Sequence, residues 1–359
     1  MICPTCGAEE ENLYRYCETC GASLNSTDPV GSAPALNNAI SSAPAEAVTI
    51  ATATNLCKCG AGPNERDDQG YCEVCGRHVG ASLTQVTNGD HKEQEEDAFI
   101  AAVTDRGKRH KTNQDDFAFK TADINGTRYV AVAVCDGLSS SSAAEAASST
   151  AAAKAAASLV ESASTTDSAE HEQVMRAAII AAHNSVCDIP FMPVPGKDGP
   201  ATTIVAALIT DKRAVIGWVG DSRAYLVHKT RACQLSHDHS WINLVVDAGK
   251  MSEDEAEKAP EAHASTQCLG PIVDENGATN EAPEPGVLTV EIPDESLLLL
   301  CSDGLWNYAP READIAECVQ SCPSSNSALL LARHLIEFAI SAGGRDNITS
   351  FVYRPSLAV

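Results

Sequence analysis

Four aspartates stand where an apolar run stops or starts. Asp115 sits in Asn113-Gln114-Asp115-Asp116, and Asp136 follows the run Tyr129 to Cys135 and precedes Gly137. Asp303 follows Leu297 to Ser302 and precedes Gly304, while Asp346 lies in Gly343-Gly344-Arg345-Asp346-Asn347, just ahead of the apolar stretch Ile348 to Tyr353. A carboxylate is costly to bury at a strand end without compensation, and clustered carboxylates repel one another unless a cation holds them. Several strands delivering Asp to one end of a sheet therefore predict a site for a hard divalent metal.

A second chemistry is written in cysteine. Of the 15 cysteines, eight fall before residue 76: Cys3-x2-Cys6 with Cys17-x2-Cys20, and Cys57-x-Cys59 with Cys72-x2-Cys75. Gly7, Gly21, Gly60 and Gly76 accompany these pairs, as tight turning around a metal requires. Two such knuckles separated by a short loop can close a tetrahedral thiolate cage, so each quartet predicts one structural Zn2+. Disulfides are the alternative, which the short loops and the lack of a secretion signal disfavour. Glu9, Glu10, Glu11 and Glu18 outnumber Arg15 in the first quartet, whereas a DNA-reading zinc module is normally basic. These ribbons read as docking modules. The remaining seven cysteines form no such pairs and read as small buried hydrophobes. None has Arg six residues downstream, which excludes a Cys-based phosphatase loop, and no Gly-Lys is followed by Ser or Thr as a Walker loop needs.

Composition bounds the rest. The chain has 359 residues and a net charge of −24, which argues against general affinity for nucleic acid or an anionic membrane. A phosphate could approach only where metal ions reverse the local sign. No stretch reaches the roughly 18 consecutive apolar residues of a membrane span. The N-terminus lacks the basic and apolar regions of a signal peptide, so a cytoplasmic protein is expected.

The aspartates need elements to carry them. Apolar runs of strand length occur at 98–104, 128–135, 203–210, 213–219, 223–228, 297–301 and 348–353. Asp211-Lys212 joins two of them as a tight hairpin turn would. Residues 143–163 are an Ala-rich helix, 171–187 a second with Val174, Ala178 and Ala181 on one face, and 326–341 a third with Leu330, His334 and Phe338 at helical spacing. Helices grouped on mainly antiparallel sheets give a layered α+β architecture. The expected organisation is a zinc ribbon at 1–24, a flexible linker rich in Ala, Ser, Thr and Pro at 25–54, a second ribbon at 55–79, a polar linker at 80–97 and one regular domain at 98–355.

In order, the informative strings are Thr104-Asp105-Arg106-Gly107-Lys108-Arg109-His110, Asn113-Gln114-Asp115, Val134-Cys135-Asp136-Gly137 and Gly220-Asp221-Ser222-Arg223-Ala224-Tyr225. They continue with Asp238-His239-Ser240, Leu300-Cys301-Ser302-Asp303-Gly304-Leu305-Trp306 and Gly344-Arg345-Asp346-Asn347-Ile348-Thr349. Together, from about 98 to 355, this succession closely resembles the metal-dependent serine/threonine protein phosphatases of the PPM (protein phosphatase 2C) family, bacterial type. The resemblance implies a four-layer α/β/β/α sandwich, a central antiparallel β-sandwich flanked by helices. It implies two Mn2+ or Mg2+ ions held by Asp115, Asp136, Asp303 and Asp346 with the Gly137 carbonyl, an all-oxygen set that suits those hard ions better than zinc. The metals would stand ~3.5–4 Å apart and activate a bridging water to attack phosphorus in line.

Several positions depart from the family pattern. The phosphate-binding arginine more often lies three residues before the Asn of Asn-Gln-Asp, where this chain has His110, with Arg109 one step earlier. Arg109 is the candidate phosphate ligand and His110 the candidate assistant or general acid. A Gly-Gly pair after Asp-Gly is replaced by Leu138-Ser139-Ser140-Ser141-Ser142, which alters the loop rim. A looser third metal site would use Asp221 and the residue four past Asp303. That residue is Asn307, a neutral ligand, so a weakened third site is expected; the plainer reading of Asp221 is a turn hydrogen-bonded with Arg223. Residues 240–270 read as a helical flap. The expected function is Mn2+/Mg2+-dependent hydrolysis of phosphoserine and phosphothreonine in proteins, with the ribbons docking partners such as a serine/threonine kinase or its substrates. The alternative is a weakly active or inactive phosphoprotein-binding scaffold.

Overall fold

In a computed structural model, the chain is described over residues 84–355, apart from 88–89, 125, 164–169, 193–196, 211, 263, 275–276 and 324–326. Both cysteine quartets, and the linker between them, lie outside the described residues.

The element order begins β1 (Thr84–Thr87), β2 (His91–Asp97), β3 (Ile100–Asp105), β4 (Asp115–Ile124) and β5 (Thr127–Asp136), then α1 (Ala144–Ala163) and α2 (His171–Cys187). Next come β6 (Ile204–Thr210), β7 (Arg213–Val219), β8 (Arg223–His228), β9 (Arg231–Gln234), α3 (Trp241–Asp247) and α4 (Glu253–Ala256). A short hairpin of β10 (Ile272–Asp274) and β11 (Gly277–Thr279) leads to β12 (Gly286–Glu291) and β13 (Ser296–Cys301). The chain closes with α5 (Asp303–Trp306), α6 (Glu312–Gln320), α7 (Ala328–Ala342) and β14 (Ile348–Tyr353).

Two antiparallel sheets face each other. One has seven strands in the order β1-β2-β3-β14-β13-β8-β9, and the other five in the order β12-β7-β6-β5-β4. Each strand divides its side chains between two cores by simple alternation. In β5, Val130, Val132 and Val134 point between the sheets, while Ala131, Ala133 and Cys135 meet α1 and α2. In β13, Leu298 and Leu300 point between the sheets, while Leu297, Leu299 and Cys301 meet the α5–α7 side. Burial on both faces is why these strands read as continuous apolar runs. Small alanines on α1 (Ala147, Ala151, Ala155) let that helix lie close on the five-stranded sheet. The four-layer α/β/β/α sandwich is therefore present, with the Thr210–Arg213 hairpin where the sequence places it. Among the described residues no helix is long and apolar enough to cross a membrane.

Two expectations are corrected. Residues 91–97, assigned to a polar linker, are β2, which pairs with β3 and extends the larger sheet. Charge pairing replaces hydrophobic burial here. Lys92 Nζ reaches Asp116 Oδ1 (2.7 Å) and lies over the Phe117 ring, Glu93 takes a forked pair from Arg333 (2.5 and 2.8 Å), and a bulge brings Asp97 to Arg128 (2.6 Å). On α7 the buried stripe is Leu331, Ala332, Leu335, Ile336 and Ala339, so Leu330, His334 and Phe338 lie on its flank.

Candidate metal centre

All four aspartates arrive at one end of the sandwich. Asp115 and Asp136 are direct cross-strand partners, the first residue of β4 opposite the last of β5. Asp303 opens α5 immediately after β13, and Asp346 lies in the loop between α7 and β14. The two sheets thus contribute two carboxylates each. Glycine permits the close approach: a Cβ on Gly304 would stand 1.9 Å from the Asn347 carbonyl oxygen, and one on Gly137 2.6 Å from those of Gln114 and Ala144.

A layer of hydroxyls and one amide holds the acids in place. Asp115 is only 4 % exposed, and its Oδ2 accepts from Ser302 Oγ (2.7 Å) and Thr349 Oγ1 (2.8 Å). Thr349 Oγ1 is in turn 2.7 Å from Thr104 Oγ1, which accepts from Asn113 Nδ2. Asn347 ties three segments together: Oδ1 accepts from the Gln114 amide, and Nδ2 donates to the Arg106 and Thr112 carbonyls. The Asp136 amide donates to Thr203 Oγ1, and its carbonyl accepts from Thr202 Oγ1. Sequence reasoning missed these supports, although Thr104, Asn113, Ser302, Asn347 and Thr349 all lie inside the informative strings. Their signal was a hydroxyl or amide wherever an apolar strand ends.

The electrostatics ask for cations. Burial, opposed by the Ser302 bond and reinforced by Asp346, lifts the Asp115 carboxyl to about 7. Burial and neighbouring carboxylates push Asp136 and Asp303 well above the ordinary range. The Asp136 carboxyl neighbours those of Asp115 and Asp303, so that in the metal-free cluster a proton on one acid can be shared with the next. Two buried oxygens, Asp115 Oδ1 and Asp303 Oδ1, have no hydrogen-bond partner. Among the described residues no three His, Cys, Asp or Glu side chains are closed into a ligand cage. Orphaned hard oxygens held in mutual repulsion fit a hard dication, which would satisfy the lone pairs and remove the repulsion.

The loop from Gly107 to Thr112 forms one wall. His110 Nε2 lies 3.2 Å from Asp346 Oδ1, so of the two candidates for phosphate it is His110 that the structure brings to the acids. Arg109 is exposed and makes no ion pair with the described residues. Gly137 donates its amide to the Gln114 carbonyl (3.1 Å) and bridges to Thr202. Asp221 borders the cluster, where burial and Asp238 raise its carboxyl to about 6. Arg223 does not pair with Asp221. It forks onto Asp238 (2.7 and 2.9 Å) and stacks over Trp306 at 3.7 Å, while Trp306 Nε1 donates to the Asp221 carbonyl. Asn307 Nδ2 donates to Asp303 Oδ2 (3.2 Å). The flap at 240–270 contains α3 and α4, with Ser240 capping α3 through the Asn243 amide.

Comparison with known proteins places the chain among phosphatases. The family model described as protein phosphatase 2C matches residues 104–328. The serine/threonine phosphatase Stp of Listeria innocua is 33 % identical over 160 residues, covering 45 % of this chain and 59 % of that protein. PstP of Mycobacterium tuberculosis is 30 % identical over 175 residues, covering 49 % of this chain and 31 % of that protein. The chain thus spans 59 % or less of the length of these two relatives. Among solved structures, the serine/threonine phosphatase of S. agalactiae superposes with a TM-score of 0.56 at 27 % identity, covering 71 % of this chain and 98 % of that one. The catalytic domain of PstP in complex with two manganese ions gives 0.51 at 26 % identity, covering 70 % and 96 %. With matched residues spanning more than half its length and all four aspartates at one end of the shared sandwich, the chain belongs to the protein phosphatase 2C family.

Proposed function

We propose that this chain hydrolyses phosphoserine and phosphothreonine in proteins, with two Mn2+ or Mg2+ ions held by Asp115, Asp136, Asp303, Asp346 and the Gly137 carbonyl. The observation that carries this is the set of buried carboxylates that lift one another's proton affinity while leaving Asp115 Oδ1 and Asp303 Oδ1 unpaired. When bound, the ions supply an activated water and neutralise phosphate oxygens. The protein's own side chains do the rest. Ser302 and Thr349 fix one oxygen of Asp115 and aim the other into the site. Asn347 locks the loop that places His110 beside Asp346, where its imidazole can donate to a phosphate oxygen or to the departing alkoxide. Arg109, exposed on the same loop, can swing onto a bound phosphate from outside. Asn307 donates to Asp303 where a third ion near Asp221 would want a carboxylate, which weakens that site.

The paired cysteines Cys3, Cys6, Cys17, Cys20 and Cys57, Cys59, Cys72, Cys75 serve as two zinc ribbons for docking partners, with a serine/threonine kinase or its substrates as the candidates. A zinc content of two per chain, falling to one when either quartet is changed, tests that part. Purified protein should turn over a phosphothreonine peptide with Mn2+, and Asp303→Asn should abolish turnover. Full activity in excess chelator, or in Asp303→Asn, would refute the mechanism. The outward position of Arg109 favours one rival, a scaffold that binds phosphoproteins without efficient turnover. Tight phosphopeptide binding with no metal-dependent release of phosphate would select it.

A further inference from the structure

We infer that Arg106 is a positioning residue that fixes the His110 loop against the metal centre by tying it to Asp90, where the N-terminal part of the chain enters β2. The inference rests on the phosphatase reading given above and names a control point for the same site. Every polar group of Arg106 that the structure pairs points to one of three segments. Its amide donates to the Asp90 carbonyl (2.8 Å), Nε forms an ion pair with Asp90 Oδ2 (3.2 Å) without a hydrogen bond, and Nη1 donates to the His110 carbonyl. Its own carbonyl accepts from Asn347 Nδ2 (2.9 Å). The guanidinium therefore spans the loop it begins, from the β2 entry to the backbone of His110.

Beyond Arg106 the loop has almost no slack. Gly107 has φ +70°, and a Cβ there would stand 2.2 Å from the Asp346 carbonyl oxygen. The Lys108 amide donates to the Gly344 carbonyl (2.7 Å), and the Gly107 amide to Asp105 Oδ1 (2.8 Å). Asp105 Oδ2 is held by His91 Nδ1 (2.8 Å), again from β2. Loop and metal-side backbone are thus in direct contact, and the outer brace of both is Asp90, just before β2, and His91, its first residue. A displacement at Asp90 reaches Asn347, the chain neighbour of Asp346, through two hydrogen bonds by way of Arg106. Misplacement of a catalytic group by about 1 Å can lower turnover by about a hundredfold, so a brace at this position governs rate without touching substrate.

The test uses the full-length chain and five variants: Arg106→Ala, Arg106→Lys, Asp90→Asn, His110→Ala and Arg106→Ala/His110→Ala. Kinetics on a phosphothreonine peptide at saturating Mn2+ are combined with amide hydrogen exchange of segment 107–112. Arg106→Ala should lower kcat/KM roughly tenfold to a hundredfold. Exchange should rise locally, Arg106→Lys should restore part of the loss, and Asp90→Asn should give a smaller loss of the same kind. In the His110→Ala background, Arg106→Ala should add little, because a residue acting through His110 has nothing left to position. Additive losses, or a loss without local exchange, would overturn the inference and leave Arg106 a stability residue. Should the wild-type chain release no phosphate, the phosphatase reading falls while the exchange measurement still decides the brace: faster exchange confined to 107–112 upholds it, and unchanged exchange overturns it.

Discussion

The metal-free protein should lose stability as pH rises through neutrality, the reverse of the usual behaviour of a paired carboxylate. Asp115 keeps its proton in the folded chain up to about 7, against 3.8 for an ordinary aspartyl. Between those values the folded chain binds more protons than the unfolded one, so the slope of stability with pH is negative. At about 1.4 kcal/mol per pH unit of difference, Asp115 alone accounts for a loss on the order of 4 kcal/mol across that window. Asp136 and Asp303 act in the same direction. Mn2+ should reverse the trend, since it binds the deprotonated acids and its contribution grows as they ionise. The assay is urea unfolding in chelator at a series of pH values from about 4.5 to 7.5, with Asp115→Asn alongside. Contributions from zinc and from titrating groups away from the cluster are common to both proteins and cancel, while Asp136 and Asp303, relieved of the Asp115 charge, titrate lower in the variant and flatten its slope further. The variant should be the more stable of the two at the alkaline end and show a shallower slope. Equal slopes, or wild-type stability that rises with pH in chelator, would refute the electrostatic reasoning.

Three further outcomes follow from named contacts. Arg223→Ala strands Asp238, only 6 % exposed, beside Trp306, and should cost about 3–5 kcal/mol in urea unfolding; Arg223→Lys keeps the charge but not the fork, and should fall between. Gly304→Ala puts a methyl 1.9 Å from the Asn347 carbonyl oxygen, so melting temperature and phosphatase activity should drop together; a native-like variant would refute the crowding. A chain begun at residue 98 removes β1 and β2, leaving Arg333 without Glu93 and the β3 edge bare. It should elute partly as aggregate in gel filtration, whereas a chain begun at 84 should be monodisperse.

Strands buried on both faces were legible because hydrophobic burial is written in residue type: β5, β6, β7 and β13 appear in the sequence as nearly continuous apolar runs, and β14 as a mostly apolar one interrupted by Thr349 and Ser350. β2 was not. Its sequence, His91-Lys92-Glu93-Gln94-Glu95-Glu96-Asp97, contains no apolar residue, and it is held by pairs with Asp116, Arg333 and Arg128 that lie 24 to 240 positions away. No local pattern encodes partners so distant. The same limit applied at the site. The four aspartates were legible because each abuts a strand. The supports on Asp115 come from Ser302 and Thr349, whose hydroxyls meet only after β13 and β14 pair. Arg109 and His110 could not be separated by spacing, because the turn at 107–109 decides which side chain faces Asp346.

Asp115 and Asp136 belong to the five-stranded sheet, whereas Asp303 and Asp346 hang from strands of the seven-stranded one. An ion that drew oxygens from both pairs would therefore be a rivet across the mouth of the sandwich. Its tightness and the spacing of the two sheets would become one mechanical variable: prying the sheets apart at that end would loosen the metal, and stripping the metal would free that end to open.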